Sequence, residues 1–201
     1  MSSSAPKALV AGAGAPAGSA VSNWLAARGY RVLAVDIGLG PSGYSDQVHL
    51  DADLVQAGEI KRVSGETKRV LGEPDILVVA LPAPATLPLS AALRAATDDW
   101  LDFTQTVAET MALRRQGHVV LLLPQPPEPL TIGQTLGAKA QRAAVEALAS
   151  HFSTTGVRVN AIAVSPQAVA SGHREVLGAV DYLERAKTLW GEMIHPERLA
   201  A

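Results

Sequence analysis

The chain has 201 residues, 48% of them hydrophobic, which suits one compact domain with a sizeable core over 1–201. Seventeen Lys and Arg face nineteen Asp and Glu, a net charge of -2 with the basic residues scattered, which argues against a nucleic-acid partner. The absence of cysteine excludes disulfides, thiolate nucleophiles and cysteine metal sites; no apolar export core precedes residue 8, and the run 8–11 is far too short to span a bilayer, so a cytoplasmic protein without membrane contact is expected.

In chain order, short β-branched or leucine-rich runs alternate with longer amphipathic stretches, the pattern of βαβ units around a parallel sheet buried on both faces. Strands are predicted at 7–11, 31–35, 47–50, 75–80, 118–123 and 157–163. Helices are predicted at 17–28, 54–71, 89–96 followed by 98–115, and 135–152, with Thr97 as the N-cap of the segment opening Asp98-Asp99. Residues 124–129, Pro-Gln-Pro-Pro-Glu-Pro, form a rigid loop, because each proline fixes φ and removes a donor. The Ser-, Pro-, Gly- and His-containing stretch 164–181 reads as a lid or linker before a helix at 182–193, so that 164–201 is a lid and C-terminal helical region, and Pro196-Glu-Arg-Leu-Ala looks like the start of a further helix.

The run Lys7-Ala-Leu-Val-Ala-Gly12-Ala-Gly14-Ala-Pro-Ala-Gly18 leaves a strand, passes a glycine-rich turn and enters a helix. Such a turn binds dinucleotides because glycine admits the required φ angles, the pyrophosphate needs close backbone approach and the helix start offers unpaired N–H groups. Asp36, ending the second strand, is placed to accept both ribose hydroxyls of NAD and to repel the extra phosphate of NADP, while Asp53 and Leu54 after the third strand are placed to bracket adenine. Pro16 stands in the middle of the turn, where its fixed φ and its ring obstruct a phosphate. Two readings follow: a dinucleotide cradle, or glycines that serve only a tight turn and close packing of helix on strand. Either way the fold is α/β, a Rossmann-like doubly wound parallel sheet in three αβα layers.

Several segments together resemble the short-chain dehydrogenase/reductase family over nearly the whole chain. The turn from Ala11 to Gly18 resembles that family's Thr-Gly-x-x-x-Gly-x-Gly with Pro16 in place of the middle glycine, and Gly156-Val-Arg-Val-Asn160-Ala-Ile-Ala is similar to its sixth strand. Gly72-Glu-Pro-Asp75 resembles the lead-in to its Asn-Asn-Ala-Gly motif, which here reads Val79-Ala80-Leu81-Pro82. The resemblance implies a catalytic Tyr-x-x-x-Lys and a serine; those positions carry Thr135, Lys139 and Pro124. A threonine hydroxyl has a pKa far above the ~10 of tyrosine, so it cannot replace the phenol as a proton donor near neutral pH. None of Tyr30, Tyr44 and Tyr182 falls on the helix of Lys139.

The resemblance therefore implies a degenerate member, lacking catalytic residues and the family's last strand. Such a subunit is expected to pair, through helices near 98–113 and 135–152, with an active short-chain dehydrogenase paralogue in a hetero-oligomeric NAD-dependent alcohol or hydroxyacyl-CoA oxidoreductase, of the kind used in anaerobic toluene breakdown. Ala138, Ala140, Ala143, Ala144 and Ala147 offer a small-residue surface for that contact, or else pack on the sheet. The alternatives are an active oxidoreductase with an atypical site and a dinucleotide-binding sensor. His49, His118, His151, His173 and His195 have no metal-ligand spacing, so no metal is expected.

Overall fold

The computed structural model describes residues 5–54, 56–81, 89–169 and 171–196, and at 57, 89–99 and 169 the backbone path alone. Strand β1 (Lys7–Ala11), helix α1 (Pro16–Ala27), β2 (Arg31–Asp36) and β3 (Gln47–Asp51) are followed by α2 (Ala57–Val70), β4 (Ile76–Ala80), α3 (Leu89–Leu113) and β5 (Gly117–Pro124). Then come α4 (Ile132–Phe152), β6 (Val157–Val164), a 3-10 turn (Pro166–Val169), α5 (Arg174–Arg185) and β7 (Met193–Ile194). Among the described residues the seven strands are all parallel, in the order β3-β2-β1-β4-β5-β6-β7. The chain winds outward from β1 to β3, then returns to start the other half at β4, so the carboxyl ends of β1 and β4 flank the switch point where ligands of such sheets bind.

Successive residues of β1 alternate between two cores, Leu9 and Ala11 facing α2, α3 and α4, and Ala8 and Val10 facing α1 and α5. Both faces are therefore covered, which is why the central strands read as unbroken apolar runs. In α1, Val21 and Leu25 are fully buried one turn apart, each contributing roughly 1.5–3 kcal/mol of burial free energy.

Several expectations are corrected. Helix α3 is continuous from Leu89 to Leu113, so position 97 lies inside it and not at a helix start; the segment contains no Gly or Pro to interrupt a run of good helix formers. Helix α4 starts at Ile132, not at 135, because Thr131 and Gln134 form a reciprocal capping box that adds a turn. The lid region is largely regular: α5 begins at Arg174 and buries Val176, Ala179, Val180 and Leu183 at helical spacing, and it ends at Arg185, eight residues before the expected end at 193. Beyond β6 the sheet carries a two-residue strand that the sequence did not suggest, β7, with Ala161 opposite Met193 and Ile162 opposite Ile194; it precedes Pro196, whereas the strand expected to be missing belongs after the helix predicted there. The helix expected after Pro196 lies outside the described residues.

Side chains of β5 and β6 hold this C-terminal arm. Asn160, fully buried, donates from Nδ2 to the Leu189 carbonyl at 3.0 Å and accepts the Glu192 N–H at 3.1 Å. Arg158 donates to the carbonyls of Leu183 at 2.9 Å and Ala186 at 3.1 Å, binding the end of α5. Glu184 receives His118 Nδ1 at 2.9 Å and the Tyr30 hydroxyl at 2.6 Å. Burial raises a carboxyl pKa, yet the hydrogen bonds from His118 and Tyr30 outweigh it and hold Glu184 at about 2. Burial dominates at His118 and lowers its pKa, so the neutral ring donates from Nδ1 to Glu184. Its Nε2 then faces the Asn160 amide at 3.4 Å. Buried polar groups in this arm are thus mutually satisfied, which explains why a two-residue strand stays on the sheet.

Candidate functional site

At the end of β1 the chain turns with Gly12 at φ +73°, a left-handed conformation that favours glycine. The Gly12 and Ala13 N–H groups donate to the Val35 carbonyl at 3.0 and 3.2 Å, and the Ala15 N–H to the Gly12 carbonyl at 3.1 Å. A side chain at Gly18 would be driven into the Gly12 carbonyl and come within 3.1 Å of Ala80 Cβ, so Gly18 lets α1 pack directly on the β1 turn. The close-packing role of Gly12 and Gly18 is therefore present, whatever the turn binds.

Asp36 reaches back into the same turn. Its Oδ2 accepts the Gly14 N–H at 2.8 Å and its Oδ1 the Ile37 N–H at 2.8 Å, and a Cβ on Gly14 would lie 3.0 Å from Oδ2. With the N–H groups of residues 12–15 engaged, the donors left for an anion are the first-turn N–H groups of Ala17 and Gly18. Pro16 is exposed at the first position of α1, where a proline costs the helix no hydrogen bond; it removes one donor from the ring of N–H groups. Asp53 sits in the turn after β3, its carbonyl accepting the Gln56 N–H at 3.0 Å, and Leu54 is half-buried against the core beneath α2.

Further along the carboxyl edge, Pro124 is the last residue of β5, opposite Val164 of β6. Thr135 lies in the first turn of α4, and its hydroxyl donates back to the Thr131 carbonyl at 3.0 Å. Lys139 follows one turn later, exposed, and shares with Pro124 a pocket of about 220 Å³ walled by Gln125, Arg142, Met193 and His195 over a floor of Leu123 and Ala163. The structure thus brings Pro124 and Lys139 together and leaves Thr135 bonded to its own helix. The glycine turn and Asp36 form a separate cluster at β1 and β2. Val79 and Ala80 end β4, Leu81 is buried with its N–H on the Leu122 carbonyl at 3.0 Å, and Pro82 lies outside the described residues.

No tyrosine enters this pocket among the described residues. Tyr30 is bonded to Glu184, and burial together with that carboxylate raises its pKa. Tyr44 lies in the β2–β3 connection and Tyr182 on α5. Sequence reading overlooked Arg142, Met193 and His195. Arg142 was visible in principle, three residues after Lys139 and hence on the same helix face, whereas His195 reaches the pocket only because β7 pairs with β6. Among the described residues no group of three or more His, Asp and Glu could hold a metal ion, and no helix is long and apolar enough to cross a membrane.

The alanine surface of α4 divides in two. Ala144 is buried against the core, as the packing alternative has it, while Ala143 and Ala147 are exposed and Ala138 and Ala140 half-buried.

No family model matches the chain, and no curated protein does so. Solved structures do. A short chain dehydrogenase from Leptospira borgpetersenii serovar Hardjo-bovis with bound NAD+ is similar at a TM-score of 0.80 and 13% identity, over 95% of this chain and 91% of that one. A 4-hydroxyisoleucine dehydrogenase complexed with NADH and succinate matches at 0.77 and 16%, over 94% and 96%. A short chain dehydrogenase/reductase family protein matches at 0.75 and 18%, over 94% of both. At these identities the likeness establishes the fold: this chain shares the α/β architecture of those solved structures.

Proposed function

We propose that this chain is a non-catalytic short-chain dehydrogenase-like subunit that binds NAD and assembles with an active dehydrogenase paralogue. The observation that carries the reading is the Lys139 pocket: a proline stands where the family's serine would be, and the hydroxyl at the tyrosine position is bonded to the Thr131 carbonyl. Proton transfer to a substrate oxygen needs an ionisable group within hydrogen-bond reach, and a threonine one turn before a lysine does not supply one.

The residues at the switch point suit the dinucleotide. The Ala17 and Gly18 N–H groups and the positive end of the α1 dipole favour a pyrophosphate. Each Asp36 oxygen accepts one backbone bond and keeps a lone pair for a ribose hydroxyl, while its charge disfavours the 2′-phosphate of NADP. NAD, when bound, supplies a hydride acceptor; the chain's own residues bind and orient it and move no proton. Exposed Ala143 and Ala147 let a neighbouring helix approach α4 closely, and α3 packs beside α4, so the surface built from 98–113 and 135–152 is the assigned partner face. The proposed assembly is an NAD-dependent alcohol or hydroxyacyl-CoA oxidoreductase, with the aryl-hydroxymethyl-succinyl-CoA of anaerobic toluene breakdown as the substrate to try first.

Co-expression with a short-chain dehydrogenase paralogue from the same organism, followed by size-exclusion chromatography and assay, tests the pairing. The expected result is one co-eluting peak and a partner less stable or less active alone. Separate elution with a fully active partner refutes it. NAD-dependent turnover by the purified chain, lost on Lys139→Ala, would instead establish an enzyme with an atypical site.

A further inference from the structure

We infer that the pocket beside Lys139 binds a small monocarboxylate of four or five carbons. Its walls separate charge. Lys139 and Arg142, three residues apart on one face of α4, are both on the pocket wall, and no carboxylate is among its described lining residues. The chain's nearby acids, Glu146 and Glu192, line the adjoining cleft, which meets the pocket at Arg142, Met193 and His195. Arg142 engages Glu146 through Nε at 3.2 Å, so its terminal nitrogens are not used by that ion pair and suit a carboxylate.

The rest of the lining has the opposite character. Leu123, Ala163 and Met193 are apolar, and Leu123 and Ala163 are buried. At about 220 Å³ the pocket exceeds the roughly 150 Å³ cavity that takes benzene, so it has room for butanoate or pentanoate. The carboxylate pairs with Lys139 and Arg142, and the hydrocarbon tail displaces water from the Leu123–Met193 lining. Glu146, paired with Arg142, and Glu192 put negative charge beside the pocket, which disfavours a ligand carrying a second carboxylate. The site asks nothing of the dinucleotide turn, which belongs to β1 and β2.

The test is a nuclear magnetic resonance titration of the full chain with sodium butanoate, butanamide and succinate, following the Met193 methyl and the His195 ring, with NADH titrated into the same preparation. Butanoate is expected to give saturable shifts at both residues, with butanamide and succinate weaker by about five-fold or more. Arg142→Ala and Lys139→Ala should each weaken butanoate by about five-fold, the effect of losing one partly exposed ion pair. Arg142→Ala should leave NADH titration unchanged. Absence of a saturable butanoate shift, equal binding of butanamide or succinate, or indifference to both substitutions overturns the inference. Loss of NADH binding with butanoate binding retained would refute the dinucleotide reading and leave the carboxylate pocket standing.

Discussion

Replacing Glu184, near the end of α5, by Gln keeps the shape of the side chain and removes its charge. In the folded chain the carboxyl is held at about 2, against an ordinary value of 4.5, because the hydrogen bonds from His118 and Tyr30 exceed the opposing effect of burial. A difference of that size corresponds to at most about 3 kcal/mol of folding free energy. The Glu184 side chain keeps 20% exposure and His118 is neutral near pH 7, so screening reduces the contribution to about 2 kcal/mol. It is complete above pH 4.5, where the unfolded chain is ionised too, and drains away as pH falls from 4.5 toward 2. Urea unfolding followed by circular dichroism should therefore find Glu184→Gln about 2 kcal/mol less stable at about pH 6, with more than half of that difference gone by about pH 3. His118 adds a decline in the parent chain that begins near its ordinary 6.5, since the unfolded imidazole takes a proton that the buried one resists. A stability difference that does not change with pH would refute the assignment of Glu184 as a buried, hydrogen-bonded carboxylate.

Asn160→Ala removes both bonds to the connector before β7 and should cost about 2–3 kcal/mol, with hydrogen exchange at 186–194 accelerating ahead of the central strands; uniform acceleration would show that the arm is not held there. Gly18→Ala forces a Cβ into the Gly12 carbonyl, so thermal unfolding should fall by several degrees for a loss of about 3 kcal/mol, and a melting point equal to the parent's would mean the turn is looser than drawn. Asp36→Ala should weaken NADH by about ten-fold or more in calorimetry, because it removes charge-assisted bonds to ribose and frees the Gly14 N–H; unchanged affinity would take the ribose role away from Asp36.

The arm formed by α5 and β7 was illegible for a specific reason. Its helix carries Val176, Ala179, Val180 and Leu183 at good spacing, but it follows a Ser-, Gly- and His-containing stretch and opens at His173, which adopts a left-handed φ of +60° with no cap from its own side chain. Composition therefore pointed to a lid. The two residues of β7 carry no strand signal of their own; they pair with β6 because Asn160, Arg158 and the Trp190 indole, which donates to the Val157 carbonyl at 3.3 Å, hold the preceding connector in place. Gly156-Val-Arg-Val-Asn160 was legible as a specific segment, yet the work of Arg158 and Asn160 in anchoring that arm was not.

By itself, the sequence determined the parallel sheet, because apolar runs at 7–11, 31–35, 75–80, 118–123 and 157–163 can be buried on both faces only in a sheet covered by helices on each side. It also determined the glycine turn and the loss of a phenol from the helix of Lys139, since these depend on residue identity and short spacing. Tertiary structure decided the rest. Asp36 bonds Gly14 twenty-two residues away because β1 and β2 lie in register, with Ala11 opposite Val35. Met193 and His195 meet Lys139 and Arg142 because β7 adds to β6 and faces α4 across the end of the sheet. Spacing along the chain records which residues one strand or helix can align, and it carries no record of which separate elements the packing of the core will set side by side.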